Sequence, residues 1–93
     1  MIKSFGNKEV EKLFHRELSR HIPTSIQRIA LRKLLMIDAA VDINDLRVPP
    51  ANHLEKLSGD RRNEYSIRIN DQWRICFIWE RGDAHHVSIV DYH

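Results

Sequence analysis

The fold is decided by residues 65–79, which read YSIRINDQWRICFIW. The odd positions carry apolar or aromatic side chains on both sides of the polar stretch Asn70-Asp71-Gln72. Alternation with a period of two is typical of β-strands that bury one face, and Asn and Asp are typical of turns. The stretch therefore predicts two neighbouring antiparallel strands whose odd-numbered residues face the core.

A third strand follows these two. Arg81-Gly82-Asp83 has the composition of a turn, and His85 to Val90 is again rich in branched residues. These features extend the prediction to an antiparallel meander with one packed face. At the other end of the chain, Ile2 to Phe5 is predicted to form a short opening strand.

Two amphipathic helices are predicted before the strands. The first runs from Lys8 to Leu18, with apolar residues spaced on one helical stripe, and is broken at Pro23. The second begins at Thr24, whose hydroxyl is expected to cap the helix while Gln27 reaches back to it. This helix is predicted to end at about Ala40.

The second helix is expected to direct an apolar stripe inward and its cations outward. The inward residues are Ile26, Ile29, Ala30, Leu34 and Ile37, and the outward cations are Arg28, Arg32 and Lys33. Residues 41–60 are interpreted as a loop region, with Pro49-Pro50 preventing regular pairing and Ser58-Gly59-Asp60 forming a turn. Two helices that each have one apolar side must cover the sheet, so the fold class is α+β.

Length and composition limit the class of protein to which this chain can belong. The 93 residues suffice for one small domain, so a single domain is expected over residues 1–93. The net charge of +2 permits an anionic partner but does not require one. Cys76 is the single cysteine, which excludes an internal disulfide. No apolar run approaches the roughly 18 residues that span a bilayer, so we predict a cytoplasmic protein without membrane association.

Three residues are the first candidates for chemistry. Arg68 and Arg74 lie on neighbouring predicted strands, and the sequence closes with the imidazole of His93. Cleavage of RNA without a metal needs a base for the 2′-hydroxyl proton, a cation for the phosphorane and an acid for the leaving oxygen. Arginine suits the second task, and histidine suits either proton transfer.

Whether the two arginines share a face depends on the turn between their strands. A connection of three or four residues between positions 70 and 73 puts both arginines on the same face, whereas a strict two-residue turn puts them on opposite faces. We expect the shared face. No metal site or cofactor is predicted, because Cys76 stands alone and the adjacent His85 and His86 point to opposite sides of a strand.

Several segments together resemble a known family. They are residues 66–77, the ending Val90-Asp91-Tyr92-His93, residues 1–5, residues 34–40 and residues 46–52, which read LRVPPAN. With these segments the sequence resembles, over nearly its whole length, the HigB branch of the RelE/ParE toxin superfamily. The resemblance implies a compact RelE-like fold with two N-terminal helices on an antiparallel sheet.

The same resemblance implies a function and partners. It implies the toxin of a type II toxin–antitoxin pair, which cuts mRNA in the ribosomal A site without a metal and inhibits translation. The implied partners are a HigA-like helix-turn-helix antitoxin, the ribosome with its mRNA, and operator DNA only through the antitoxin complex. The alternative is a non-catalytic interaction toxin acting on another target, such as DNA gyrase or ribosome-associated factors.

The resemblance also implies roles for residues. Arg74 matches the phosphate-contacting arginine, Arg68 matches a basic position on the preceding strand, and Asp91, Tyr92 and His93 match the catalytic ending. His93 is predicted to transfer a proton, and Tyr92 can stack on a base or donate to phosphate.

The sequence departs from the family near residue 58. Ser58 stands where many relatives have a lysine, which predicts a weaker toxin. The histidine that some relatives place shortly before that turn aligns nearer Glu55, while His53 stands two residues earlier. Both are therefore candidates to approach the RNA phosphate.

Overall fold

The computed structural model describes residues 1–17, 19–57 and 63–91. Two α-helices precede a sheet of four strands in the described part of the chain, and two short 3₁₀ helices lie between the helices and the sheet. The α-helices are α1 (Lys8–Phe14) and α2 (Thr24–Ala39); the 3₁₀ helices are Ile43–Arg47 and Pro50–Asn52; the strands are β1 (Glu55–Lys56), β2 (Glu64–Arg68), β3 (Trp73–Glu80) and β4 (Asp83–Asp91).

The sheet is the predicted antiparallel meander. Its spatial order is β1-β2-β3-β4, and each neighbouring pair is antiparallel. Arg81 and Gly82 form the two-residue loop between β3 and β4, and both have a positive φ, of 52° and 80°. This is the geometry of the tight hairpin turn that matches strand twist, and glycine tolerates it without steric cost.

The turn between β2 and β3 is the longer of the two alternatives. The side-chain oxygen of Asn70 accepts hydrogen bonds from the backbone amides of Gln72 at 2.9 Å and Trp73 at 2.8 Å. The strands on either side pair so that Arg68 lies directly opposite Arg74. Directly opposed residues project from the same face of a sheet, so the expected shared face is confirmed.

The odd-numbered residues of the central strands form the core with the two helices. Ile67, Ile75 and Phe77 are at most 1% exposed, and Leu34 and Ile37 of α2 are fully buried in the same cluster. Two helices covering one face of an antiparallel sheet is an α+β architecture, so the predicted fold class is confirmed.

Helix α1 ends earlier than the apolar stripe predicted. Arg16 has a φ of 62°, its amide donates to the carbonyl of Leu13, and the amide of Glu17 donates to the carbonyl of Lys12. These two bonds form a Schellman motif, which ends a helix by satisfying its last carbonyls. The helix therefore stops at Phe14, well before Pro23. Leu18 lies outside the described residues.

Helix α2 differs from the prediction at its start and on one face. Pro23 is the N-cap and makes no side-chain capping bond, while Gln27 donates instead to the carbonyls of Ser19 and Ile22. The predicted Thr24 capping box is therefore wrong. Lys33, which the sequence predicts on the outward face, is only 6% exposed, so that prediction is wrong.

The segment after α2 is more ordered than a loop. Asp42 and Asp45 form a reciprocal capping box around the first 3₁₀ helix, and β1 pairs with β2. The sequence did not predict β1 because its two residues, Glu55 and Lys56, carry no apolar alternation. The turn predicted at 58–60 lies outside the described residues.

The opening segment pairs with β4 without forming a full strand. Isolated parallel bridges join Ile2 to Ala84 and Phe5 to Val87, and four backbone hydrogen bonds support them. The prediction of an opening strand is thus right about sheet pairing but not about regular strand structure. Among the described residues, no helix has the length and apolar character needed to cross a membrane.

Candidate functional site

The candidate site lies on the sheet face that points away from the apolar core. Ser66 lies opposite both Glu55 of β1 and Cys76 of β3, and Arg68 lies opposite Arg74. Because side chains alternate along a strand and match across strands, these five residues project from the same face. Two sequence-predicted arginines and one predicted acid are therefore neighbours on this surface.

Arg74 is held by hydrogen bonds rather than exposed on a strand. Its Nε donates to Ser66 Oγ at 2.9 Å, and its Nη2 donates to the carbonyl of His53 at 2.5 Å and to the carbonyl of Ser66 at 3.3 Å. Its side chain is only 10% exposed. A buried guanidinium with bonds to both Nε and Nη2 has a fixed plane, so its orientation is set before any ligand binds.

His53 and Glu55 approach Arg74 in different ways. His53 has a left-handed backbone conformation, with φ of 43° and ψ of 57°, and it reaches Arg74 through its carbonyl. Glu55 is exposed, and its Oε2 lies 4.0 Å from Nη2 of Arg74. The Glu55 carboxylate shows that an anionic group can come close to this guanidinium from the solvent side.

Arg68 is less constrained than Arg74. Its side chain is partly exposed, and its Nη2 forms an ion pair with the carboxylate of Asp71 in the turn that follows β2. Asp71 is 96% exposed, so water and salt screen this pair strongly. An incoming phosphate can therefore compete with Asp71 for Arg68 at small cost.

Asp91 lies near these groups but on the other face of the sheet. The strand register pairs Asp91 with Trp73, a core-side residue, and its Oδ2 accepts a hydrogen bond from Gln72 Nε2 at 3.1 Å. The register does not bring the Asp91 side chain to the face of Arg74, although the two residues lie only one strand position apart. Tyr92 and His93 lie outside the described residues, so their predicted roles stay predictions.

Lys33 is a buried lysine next to this site. The sequence predicted it on the surface. Lys33 Nζ donates to Asn52 Oδ1, and Asn52 is itself fully buried. Asn52 Nδ2 donates to the carbonyls of Leu46 at 3.2 Å and Val48 at 3.3 Å. Burial lowers the pKa of Lys33, and the nearby charges of Arg32 and Arg68 lower it further.

A signal for Lys33 was present in the spacing of α2. Position 33 lies seven residues after Ile26, three after Ala30 and four before Ile37. These spacings place it on the inward stripe of the helix. The charge of lysine led to the opposite expectation. Asn52 gave no comparable signal, because an asparagine after two prolines is typical of an exposed turn.

The arrangement is suited to binding a phosphate. Arg74 is a buried cation and Arg68 is a half-buried one, whereas Glu55 and Asp71, the acids next to them, are exposed. Buried cations attract an anion more strongly than exposed ones because less water screens them. Within the described ranges, no group of three or more His, Cys, Asp or Glu side chains is placed to hold a metal ion.

Comparison with known proteins identifies the family. The family model described as the RelE-like toxin of the type II toxin–antitoxin system HigB matches residues 3–93. Toxin HigB-1 of Vibrio cholerae is 42% identical over 86 residues, which cover 90% of each chain. Endoribonuclease HigB of Proteus vulgaris is 37% identical over 94 residues, which cover 100% of both. A Haemophilus influenzae protein is 44% identical over 68 residues, which cover 73% of this chain and 67% of that one.

These matches extend over the helices, the sheet and the candidate site alike, so they confirm the resemblance drawn from the sequence. A type II toxin has an antitoxin as its partner, and an antitoxin is therefore the partner of this protein. The chain belongs to the HigB-like family of RelE-like toxins of type II toxin–antitoxin systems.

Proposed function

We propose that this toxin is an endoribonuclease that cleaves mRNA in the ribosomal A site and so inhibits translation. The observation that carries the proposal is Arg74, a buried guanidinium held in one orientation next to Arg68 on the polar face of the sheet. A fixed planar fork matches two oxygens of a phosphodiester, and the name of the Proteus vulgaris relative assigns endoribonuclease activity to that protein.

In the proposed reaction Arg74 binds the scissile phosphate and stabilises the negative charge that accumulates on its oxygens. The 2′-oxygen attacks phosphorus while a base accepts its proton, and the bond from phosphorus to the 5′-oxygen breaks. An acid then protonates that leaving oxygen, which yields a 2′,3′-cyclic phosphate and a free 5′-hydroxyl. Arg68 positions the RNA backbone once it exchanges Asp71 for phosphate.

The proton transfers are assigned to His93, with Asp91 and Tyr92 orienting the imidazole or the nucleotide. An imidazole is both acid and base near pH 7, which suits it to either step. Asp91 pairs with Trp73, the neighbour of Arg74, and the other two residues follow it directly in the sequence. Glu55 is the second candidate base because its carboxylate lies on the Arg74 face, and His53 is a candidate to contact RNA through its exposed ring.

The small size of the site supports the proposed dependence on the ribosome. A sheet face with a few cations aligns only a short piece of RNA. The ribosome holds the mRNA in a defined conformation, which supplies much of the alignment that the reaction requires. The proposed place of action is therefore the cytoplasm.

The partner is proposed to be a HigA-like antitoxin with a helix-turn-helix, which brings the complex to its operator DNA. Co-expression of the small open reading frame next to the toxin gene is expected to restore growth and to yield a stable complex on purification. An adjacent product that neither binds the toxin nor restores growth would contradict this assignment.

The test of the proposed activity is primer extension on a translated mRNA after brief expression of the toxin. We expect cuts within codons from the wild type, loss of these cuts with Arg74→Ala and with His93→Ala, and unchanged cuts with Arg32→Ala, an exposed arginine on α2. Equal cleavage by all four proteins would refute the residue assignments. An uncut mRNA together with a DNA-damage response would favour a gyrase-directed toxin.

A further inference from the structure

We propose that Lys33 is a positioning residue for Arg74, acting through Asn52 and the main chain of His53. This inference rests on the ribonuclease activity proposed above, because it concerns the arginine that would bind the scissile phosphate. It gives a role to a buried cation that lies outside the residues expected to touch RNA. The contacts that support it form a continuous path from α2 to the polar face of the sheet.

The first step of the path is the orientation of the Asn52 amide. An ammonium group only donates hydrogen bonds, so the amide oxygen of Asn52 must face Lys33. The amide nitrogen then faces the carbonyls of Leu46 and Val48, which only accept. Lys33 thus fixes which way a buried amide points and, with it, the backbone on both sides of the prolines.

The second step runs from Asn52 to the residue after it. His53 has a left-handed conformation that directs its carbonyl to Nη2 of Arg74, at 2.5 Å. Its amide donates to the carbonyl of Pro50, so the turn that contains Asn52 also sets the position of His53. A shift of Asn52 is therefore transmitted to a direct hydrogen-bond acceptor of the Arg74 guanidinium.

The chemical identity of Lys33 also supports a role beyond packing. Burying an ammonium group costs free energy, and an apolar side chain of similar length would fill the same volume without that cost. The guanidinium groups of Arg32 and Arg68 make the charge less favourable still. Packing alone thus gives no reason for a charge at position 33, whereas a strong donor to Asn52 Oδ1 is what the orientation of the amide requires.

The test compares Lys33→Met with Arg32→Met, which removes the same charge from an exposed neighbour on the same helix. The first readout is the NMR signal of the Arg74 Nε–H group, which the bond to Ser66 Oγ should protect from exchange with solvent. We expect a shifted and faster-exchanging signal in Lys33→Met and a wild-type signal in Arg32→Met. This readout does not depend on nuclease activity.

The second readout is the single-turnover cleavage of mRNA on programmed ribosomes. Lys33→Met is expected to lower the rate at saturation about tenfold, with the half-saturating concentration nearly unchanged, because it misaligns a group without removing it. In an Arg74→Lys background, where the fork is already lost, the same substitution is expected to change the rate by less than about twofold.

The outcomes separate the two proposals. If the wild type does not cleave, the ribonuclease proposal fails, while the Arg74 signal still decides whether Lys33 positions this residue. An unchanged Arg74 signal and rate in Lys33→Met would overturn the positioning role. Lys33→Leu, which also removes the donor to Asn52 Oδ1, is the substitute if Lys33→Met does not fold. Failure of both variants to fold would also overturn the proposal, because Lys33 would then be a residue of the fold.

Discussion

The two faces of the central strands are held together by different kinds of interaction. On one face Ile67, Ile75 and Phe77 are buried against the helices, and their contacts are apolar. On the other face Ser66 and Arg74 are nearly as buried, but they are joined by directed hydrogen bonds. Apolar contacts are numerous and non-directional, whereas a buried polar group is stable only when its specific partners are in place.

On the proposed function, this difference separates the part of the fold that supplies stability from the part that carries the chemistry. The core face supplies the apolar burial that keeps the strands in register, and the polar face uses this rigid support to hold a guanidinium in one orientation. Changes on the core face should therefore affect folding first, and changes on the polar face should affect RNA cleavage first. The following substitutions test this division, from the largest expected effect to the smallest.

Removal of the Phe77 ring should have the largest effect on stability. Phe77→Ala leaves a cavity between the sheet and the helices, and we expect a loss of about 3–5 kcal/mol in the free energy of unfolding. The matched control is Ile78→Ala, on the opposite face of the same strand and only half buried. It should cost roughly 1–2 kcal/mol in urea or thermal denaturation. Equal losses for both would contradict the assignment of the core to the odd positions.

Removal of the Ser66 hydroxyl should lower both the stability of the fold and the rate of RNA cleavage. Ser66→Ala deprives the buried Nε of Arg74 of its acceptor, so we expect a loss of about 1–3 kcal/mol in stability. Cleavage by the folded protein should fall about tenfold, because the guanidinium is no longer fixed. Ser88→Ala, which also lies opposite Cys76 on the neighbouring strand, is the control. A Ser66→Ala protein with wild-type cleavage would show that the orientation of Arg74 is unimportant.

Neutralisation of Asp71 should give a smaller effect in the opposite direction. Asp71→Asn removes the exposed carboxylate that pairs with Arg68, so the arginine can bind phosphate without exchanging a partner. We expect binding to ribosome–mRNA complexes to tighten about twofold at low salt, and the gain should vanish at high salt. Binding measured across a salt series checks this, and a gain that does not depend on salt would contradict it.

The smallest expected effect concerns the exposed carboxylate of Asp45, which caps the first 3₁₀ helix. Hydrogen bonds from the backbone amides of Asp42 and Val41 hold the pKa of Asp45 below its ordinary value of 3.8. The folded state therefore binds this proton less tightly than the unfolded chain. The stabilisation is present above pH 3.8 and is lost as the pH falls through the lower pKa of the folded state.

Asp45→Asn should accordingly lower the Tm by a few degrees at neutral pH and leave cleavage by the folded protein unchanged. The difference in Tm between the variant and the wild type should shrink as the pH falls below the ordinary pKa of the Asp45 carboxyl. A difference that is constant with pH would mean that the capping charge contributes nothing.

The sequence was most informative where structure follows from a local pattern. Strict alternation around Asn70-Asp71-Gln72 predicted both strands and the set of residues that faces the core. It also predicted that Arg68 and Arg74 project from the same face of the sheet. These predictions succeeded because the period of a strand is two, so that one correct turn length fixes the face of every residue.

The sequence was least informative where tertiary contacts override local preference. Lys33 is charged and yet buried, because a partner 19 residues away in sequence satisfies its ammonium group. The short strand β1 likewise depends on its pairing with β2. The Schellman motif at Arg16 is local, but no glycine marks it in the sequence. The hydrogen bond of Arg74 to the carbonyl of His53 has no sequence signature at all, since any residue supplies a carbonyl.

The most direct test of this division is the single-turnover rate at which Arg74→Lys cleaves mRNA on programmed ribosomes, with the folded fraction measured by circular dichroism. Lysine keeps the charge but loses the planar fork and the bonds that fix it. We predict a protein that is still folded and a rate that falls by a factor on the order of 100. A folded Arg74→Lys protein that cleaves at the wild-type rate would contradict the central role of the fixed guanidinium.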